Sequence, residues 1–263
     1  MLNTSKKMKD DPFTFDPFSF PVEEEDEKEN EIFDPTDIAA NPSVRKMVLF
    51  FIIDTSYSMY GCKISTVNAA LDEVVMQLKE KEGKFQTAHV EVMVMEFNSE
   101  ANWLTKDPIY IQDYQYEPIQ EVKGATNYGA VYAKMEKALS RSTVLKDRSD
   151  YAPCIVFISD GEPNYPFAAQ LDYLKENEWF KHAIRVAVLI NNDGCVSHPE
   201  ECKRVLKDFT GNDEMVKEVK DISELKDMIV LMTMNSVIKQ TRSGTQQKWG
   251  DVSFVFPALD GEE

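Results

Sequence analysis

Asp54, Ser56 and Ser58 occupy alternate positions directly after the apolar run 47–53. In an extended segment alternate side chains point the same way, so one carboxylate and two hydroxyls converge. Two further oxygen-bearing side chains stand at similar breaks in the pattern. Thr126 lies in Gly124-Ala-Thr-Asn-Tyr-Gly129, and Asp160 follows the apolar run 154–158 in Ser159-Asp-Gly161. Hard oxygen donors of this kind suit Mg²⁺, with Mn²⁺ or Ca²⁺ as alternatives, over a metal that prefers thiolate or imidazole. If the hydroxyls bind directly and the aspartates act through water, the inner shell is neutral and the ion's charge is poorly quenched. An external carboxylate can then replace a water. The chemistry implied is capture of another protein's Asp or Glu, not hydrolysis.

Alternating strands and helices must place these residues. The run 47–53 is apolar throughout, as in a strand buried on both faces. Ile64, Val67, Leu71, Val74, Val75 and Leu78 then share one helical face. Residues 90–97 read as a second buried strand and 102–106 as a short edge strand, followed by a Pro-containing connection over 107–123. Thr126 precedes a helix with Tyr128, Val131, Tyr132, Met135 and Leu139 on one face. The spacing predicts a strand at 154–158, a helix at 168–178, a strand at 184–190, a helix opened by a capping box at 197–200, and a short strand at 215–219. A second capping box at 221–224 opens a last helix to about 237, with Ile222, Leu225, Ile229 and Met232 inward. This alternation predicts an α/β fold: a doubly wound, mostly parallel sheet with helices on both faces. In such sheets ligands bind beyond the carboxyl ends of the strands, where Asp54, Ser56, Ser58, Thr126 and Asp160 all fall.

Asp-x-Ser-x-Ser alone is a weak signal, expected by chance in about one chain of this length in fifteen. Joined in order by Thr126 and Asp160, it resembles the metal-ion-dependent adhesion site (MIDAS) of von Willebrand factor type A (VWA) domains. The resemblance covers residues 46 to about 237. It implies a Rossmann-like VWA fold, a divalent cation held by Asp54, Ser56, Ser58, Thr126 and Asp160, a partner protein that supplies an acidic side chain, and a last helix that shifts when the partner binds. Where the family usually carries Gly between the two serines, this chain has Tyr57, placed to cover the metal or to touch the partner. Within the family the chain looks similar to bacterial cytoplasmic tellurium-resistance-type members. That likeness implies a stress-response module whose other components include protein kinases and PP2C-like phosphatases.

The 263 residues carry 46 acidic and 29 basic side chains, a net charge of −17. Phosphate neutralisation needs a basic footprint, so nucleic acid is a poor partner, and an anionic membrane is disfavoured for the same reason. Residues 1–43 account for −8 of the charge and are rich in Pro and Glu, with Phe13, Phe15, Phe18 and Phe20 interleaved. They read as a disordered acidic tail ahead of one domain at 44–238, with a C-terminal arm at 239–263 that includes an apolar stretch at 252–256. No signal-peptide h-region, membrane span or disulfide framework is evident, which suggests a cytoplasmic protein. Cys195, His198 and Cys202 are close in sequence, but Cys202 shares the inward face of Val205, Leu206 and Phe209, so a zinc site is disfavoured. No phosphate-binding Gly-rich loop is present. An aspartyl phosphatase would start from a similar Asp54, but Ser56 stands where its acid/base Asp is expected. Two other readings remain: a metal-independent scaffold that recruits partners through the Phe-rich tail, and occupation of the metal site in cis by acids of 23–31 or 260–263.

Overall fold

The computed structural model describes residues 45–82, 88–140, 143–145, 150–191 and 196–242. The expected tail at 1–43, the apolar stretch at 252–256 and Cys195 lie outside them. Seven strands form one sheet: β1 (Arg45–Asp54), β2 (Ala88–Phe97), β3 (Ala101–Trp103), β4 (Ile109–Tyr110), β5 (Cys154–Ser159), β6 (Ile184–Ile190) and β7 (Val216–Val219). Their order is β3-β2-β1-β5-β6-β7, with β4 also paired to β2. The β2–β1–β5–β6–β7 pairings are parallel, and β3 and β4 run antiparallel at the edge. Among the described residues, five α-helices lie between strands, α1 (Cys62–Glu82), α2 (Tyr128–Ala138), α3 (Ala168–Lys175), α4 (Glu178–His182) and α5 (Pro199–Thr210), and α6 (Ile222–Arg242) follows β7.

The apolar run of β1 alternates between two cores. Met47, Leu49, Phe51 and Ile53 pack on α1 and α6, through residues such as Val67, Leu71, Val74, Leu225, Ile229 and Met232. Val48, Phe50 and Ile52 share the opposite core with residues of α2, α3, α4 and α5. Over 47–53 the strand meets a core on each face, so every side chain there is apolar and the sequence shows no alternation. Phe157 of β5 anchors the second core. Its ring lies 5.3 Å from Phe97, 4.9 Å from Tyr128 and 5.1 Å from Phe209.

Four local expectations are corrected. The helix expected over 168–178 is two helices, because the Asn177 side chain accepts from the backbone N–H groups of Trp179 and Phe180 and starts a new turn. The capping box at 197–200 does not form: Pro199 opens α5, so the cap position falls on His198, whose side chain makes no capping bond. The connection over 107–123 contains the two-residue β4, too short to leave a periodic signal. The last helix continues past 237 to Arg242. Among the described residues no helix is long and apolar enough to cross a membrane.

Phe157→Ala removes the ring shared by three aromatic neighbours and is expected to cost about 3–5 kcal/mol. Tyr57→Ala, at a position 73% exposed, should stay within about 0.5 kcal/mol. Urea unfolding of the two variants checks both values.

Candidate metal centre

The sheet reverses its direction of winding between β1 and β5. From β1 the chain crosses to β2 on one side, and from β5 to β6 on the other. The connections therefore leave a crevice at the carboxyl ends of β1 and β5. Three loops meet there: 54–59 after β1, 124–127 before α2, and 160–164 after β5. Backbone hydrogen bonds tie the first two together, from Lys123 N to Thr55 O (2.8 Å) and from Tyr57 N to Gly124 O (3.1 Å). Gly124 has φ +76°, and a Cβ there would stand 2.8 Å from Ser99 Oγ. That position requires glycine for both conformation and space. The second and third loops are joined by Asn164, whose Oδ1 accepts from Thr126 N (2.8 Å) while its own N–H donates to Thr126 O (2.8 Å).

Within this frame Asp54 and Asp160 are buried, and their oxygens are engaged. Asp54 Oδ1 accepts from Ser56 N (2.8 Å), and Oδ2 accepts from Ser159 Oγ (2.6 Å). Tyr128 Oη, on the first residue of α2, lies 3.0 Å from both Ser159 Oγ and Gly161 O. Asp160 Oδ1 accepts from Ser58 Oγ (2.7 Å), and Oδ2 accepts from Lys63 Nζ (2.5 Å). Ser58 gives its one proton to Asp160, so the 3.1 Å contact between Ser56 Oγ and Ser58 Oγ is donated by Ser56. Thr126 Oγ1 is within van der Waals reach of a Cβ at Gly161, 3.8 Å away. The structure thus brings all five residues named from the sequence to the carboxyl ends of the two central strands, β1 and β5.

The hydroxyls are not used as helix caps. Ser56 precedes a 3₁₀ turn but makes no side-chain capping bond. The cap of α2 is Asn127, which accepts from Ala130 N, and not Thr126. Only Asp54 closes a turn, with one oxygen. The serine lone pairs therefore remain for a cation, and every donor is a hard oxygen, which fits Mg²⁺ or a similar ion. A zinc site is not formed by the described part of the other trio: Cys202 is buried in the core, and His198 Nδ1 pairs with Glu162 Oε1 at 2.7 Å. Tyr57 does not close the crevice. It is 73% exposed and stacks on the equally exposed Tyr60, with ring centroids 6.4 Å apart.

Sequence reasoning missed three contributors. Ser159, the last residue of β5, and Asn164, in the loop after it, carry no local signal, because their role is to orient another residue. Lys63 had a detectable signal: a lysine in the first turn of a helix faces the positive end of the helix dipole, an unfavourable place without a compensating anion.

Burial, and then the nearby Asp160 charge, push the Asp54 carboxyl up from 3.8 to about 7, against the hydrogen bonds from Ser159 and Ser56. The folded chain therefore holds this proton more tightly than the unfolded chain. The stability it contributes is full below about pH 4 and is lost as pH rises through 7. In EDTA, the melting temperature of the wild type should fall relative to that of Asp54→Asn between pH 5 and pH 8. Parallel pH–melting curves of the two proteins would contradict this.

Residues 49–162 match the family model described as von Willebrand factor type A domain. No curated protein sequence matches the chain. Among solved structures, the chain is similar to a von Willebrand factor type A protein from Catenulispora acidiphila (15% identity, TM-score 0.53, covering 73% of this chain and 43% of that one). It is also similar to the pilus adhesin SpaC from Lactobacillus rhamnosus GG (9% identity, TM-score 0.59, 75% and 31%). A third is proximal thread matrix protein 1 from the mussel byssus, with a zinc-occupied MIDAS motif (17% identity, TM-score 0.52, 72% and 48%). The chain spans less than half the length of each of these three structures. At such identities the likeness concerns the fold, and with the family match it shows that this chain carries the Rossmann-like α/β fold of a von Willebrand factor type A domain.

Proposed function

We propose that this protein is a metal-dependent protein-binding module in which Asp54, Ser56, Ser58, Thr126 and Asp160 hold a divalent cation, Mg²⁺ in the first instance. The observation that carries this is the state of the hydroxyls: Ser56 and Thr126 stand beside two buried carboxylates without serving as caps. The bound ion would supply Lewis acidity toward an incoming carboxylate. The protein's own part is to orient the donors, through Ser159 on Asp54 and Asn164 on Thr126, and to present Tyr57 and Tyr60 at the rim. Exposed aromatics of this kind supply contact area in protein interfaces. The comparison proteins include an adhesin and a thread matrix protein, one with metal in its MIDAS motif, which is consistent with binding and not turnover. Asp54 is fully buried with both oxygens hydrogen bonded, so it is not presented to a phosphoryl group as a nucleophile. We further propose a cytoplasmic stress-response setting, with a kinase or PP2C-like phosphatase as partner, a reading that rests on the sequence resemblance alone.

At 100-fold over its dissociation constant, Mg²⁺ should stabilise the fold by about 2.7 kcal/mol, a rise in Tm of roughly 5–10 °C for a domain of this size. Ser56→Ala and Asp160→Ala should lose that rise. Capture of partners from lysate should be strong in Mg²⁺ and lost in EDTA. Capture indifferent to EDTA but abolished by deleting residues 1–43 would favour a scaffold acting through the tail.

A further inference from the structure

Lys63 is the second residue of α1, and its ammonium reaches across the crevice to Asp160 Oδ2 at 2.5 Å. The side chains are 12% and 0% exposed, so this is not a solvated surface pair. The other oxygen of Asp160 is held by Ser58, itself bonded to Ser56. A single cation therefore closes the chain of contacts through which the divalent ion would be held. Its place in the helix is locally unfavourable: α1 has no acidic residue in its first turn, and a positive charge there opposes the helix dipole. Burying Asp54 and Asp160 together is also costly without a counter-charge. Among the described residues, Lys63 is the basic side chain bonded to either of them.

We propose that Lys63 is a built-in counter-cation, standing on Asp160 before metal arrives and competing with the divalent ion for it. This rests on the reading of the crevice as a metal site. With both aspartates ionised, as metal binding requires, two carboxylates and one ammonium sum to a formal charge of −1. With a divalent ion the same groups sum to +1, a surplus that a partner's carboxylate cancels. Lys63 thus weakens the hold on metal while keeping the loaded site positive toward an anion. It acts on the site's charge and on the position of Asp160, and does not itself coordinate the metal.

The test is calorimetric titration of MgCl₂ into the EDTA-stripped and dialysed full chain, in wild type, Lys63→Met and Lys63→Arg, with melting curves of each in EDTA and in saturating Mg²⁺. Lys63→Gln serves as a second neutral variant. Loss of one nearby positive charge should tighten Mg²⁺ binding about tenfold, while Lys63→Arg stays near wild type. In EDTA the neutral variants should melt lower than wild type, and saturating Mg²⁺ should narrow that gap. A lysine that is only structural would give weaker or unchanged binding on removal. Wild type that binds Mg²⁺ while the neutral variants bind it no tighter overturns the role of Lys63 and leaves the metal site standing. Binding by the neutral variants alone supports the role in its strongest form. No binding by any of the proteins removes the metal reading and the competition with it.

Discussion

Two carboxylates buried side by side at the ends of adjacent parallel strands set the terms for this structure. Asp54 and Asp160 repel each other and lose most of their hydration, and such an arrangement persists only where the surroundings supply hydrogen bonds and positive charge. Ser56 N, Ser159 Oγ and Ser58 Oγ supply the first, and Lys63 supplies the second. A polar network of this kind is worth having only if each member is satisfied, which explains why so many residues beyond the five donors are committed to it. Asn164, Ser99 and Gly124 hold the loops, and Tyr128 places its phenol against Ser159 while its ring packs into the aromatic core.

The rigidity of the site comes from the sheet. β1 is flanked by β2 and β5 in parallel register and is sealed on both faces by helices. The loop after β1 therefore starts from a point with almost no freedom. The antiparallel β3 and β4 extend the sheet on the β2 side only, and the loop that leads into β3 braces the crevice through Asn98 and Ser99. The crevice lies where the crossovers diverge, so its position follows from strand order and not from any one residue.

The charge of the chain takes on a more specific meaning in this setting. A protein at −17 repels acidic partners at a distance, and a module that captures a carboxylate needs a local reversal of that field. A divalent ion beside Lys63 would reverse the sign of the crevice while the rest of the surface stays acidic. Binding would then depend on short-range contact at the site, with the exposed pair Tyr57 and Tyr60 beside it, and would gain little from long-range steering.

Sequence alone determined the layout. The unbroken apolar strands, the 3.6-residue periods of α1 and α2, and the positions of Asp54, Ser56, Ser58, Thr126 and Asp160 just beyond element ends are all legible, because burial on both faces and convergence at strand ends leave one-dimensional traces. Tertiary structure decided what had no such trace. It set the cap of α2 on Asn127 and left Thr126 its hydroxyl; it broke the 168–178 helix at Asn177; it drew Lys63 onto a residue 97 positions away. Hydrogen bonds between distant loops and ion pairs across a crevice depend on where the strands bring those loops in three dimensions. Periodicity and local propensity carry no record of that meeting.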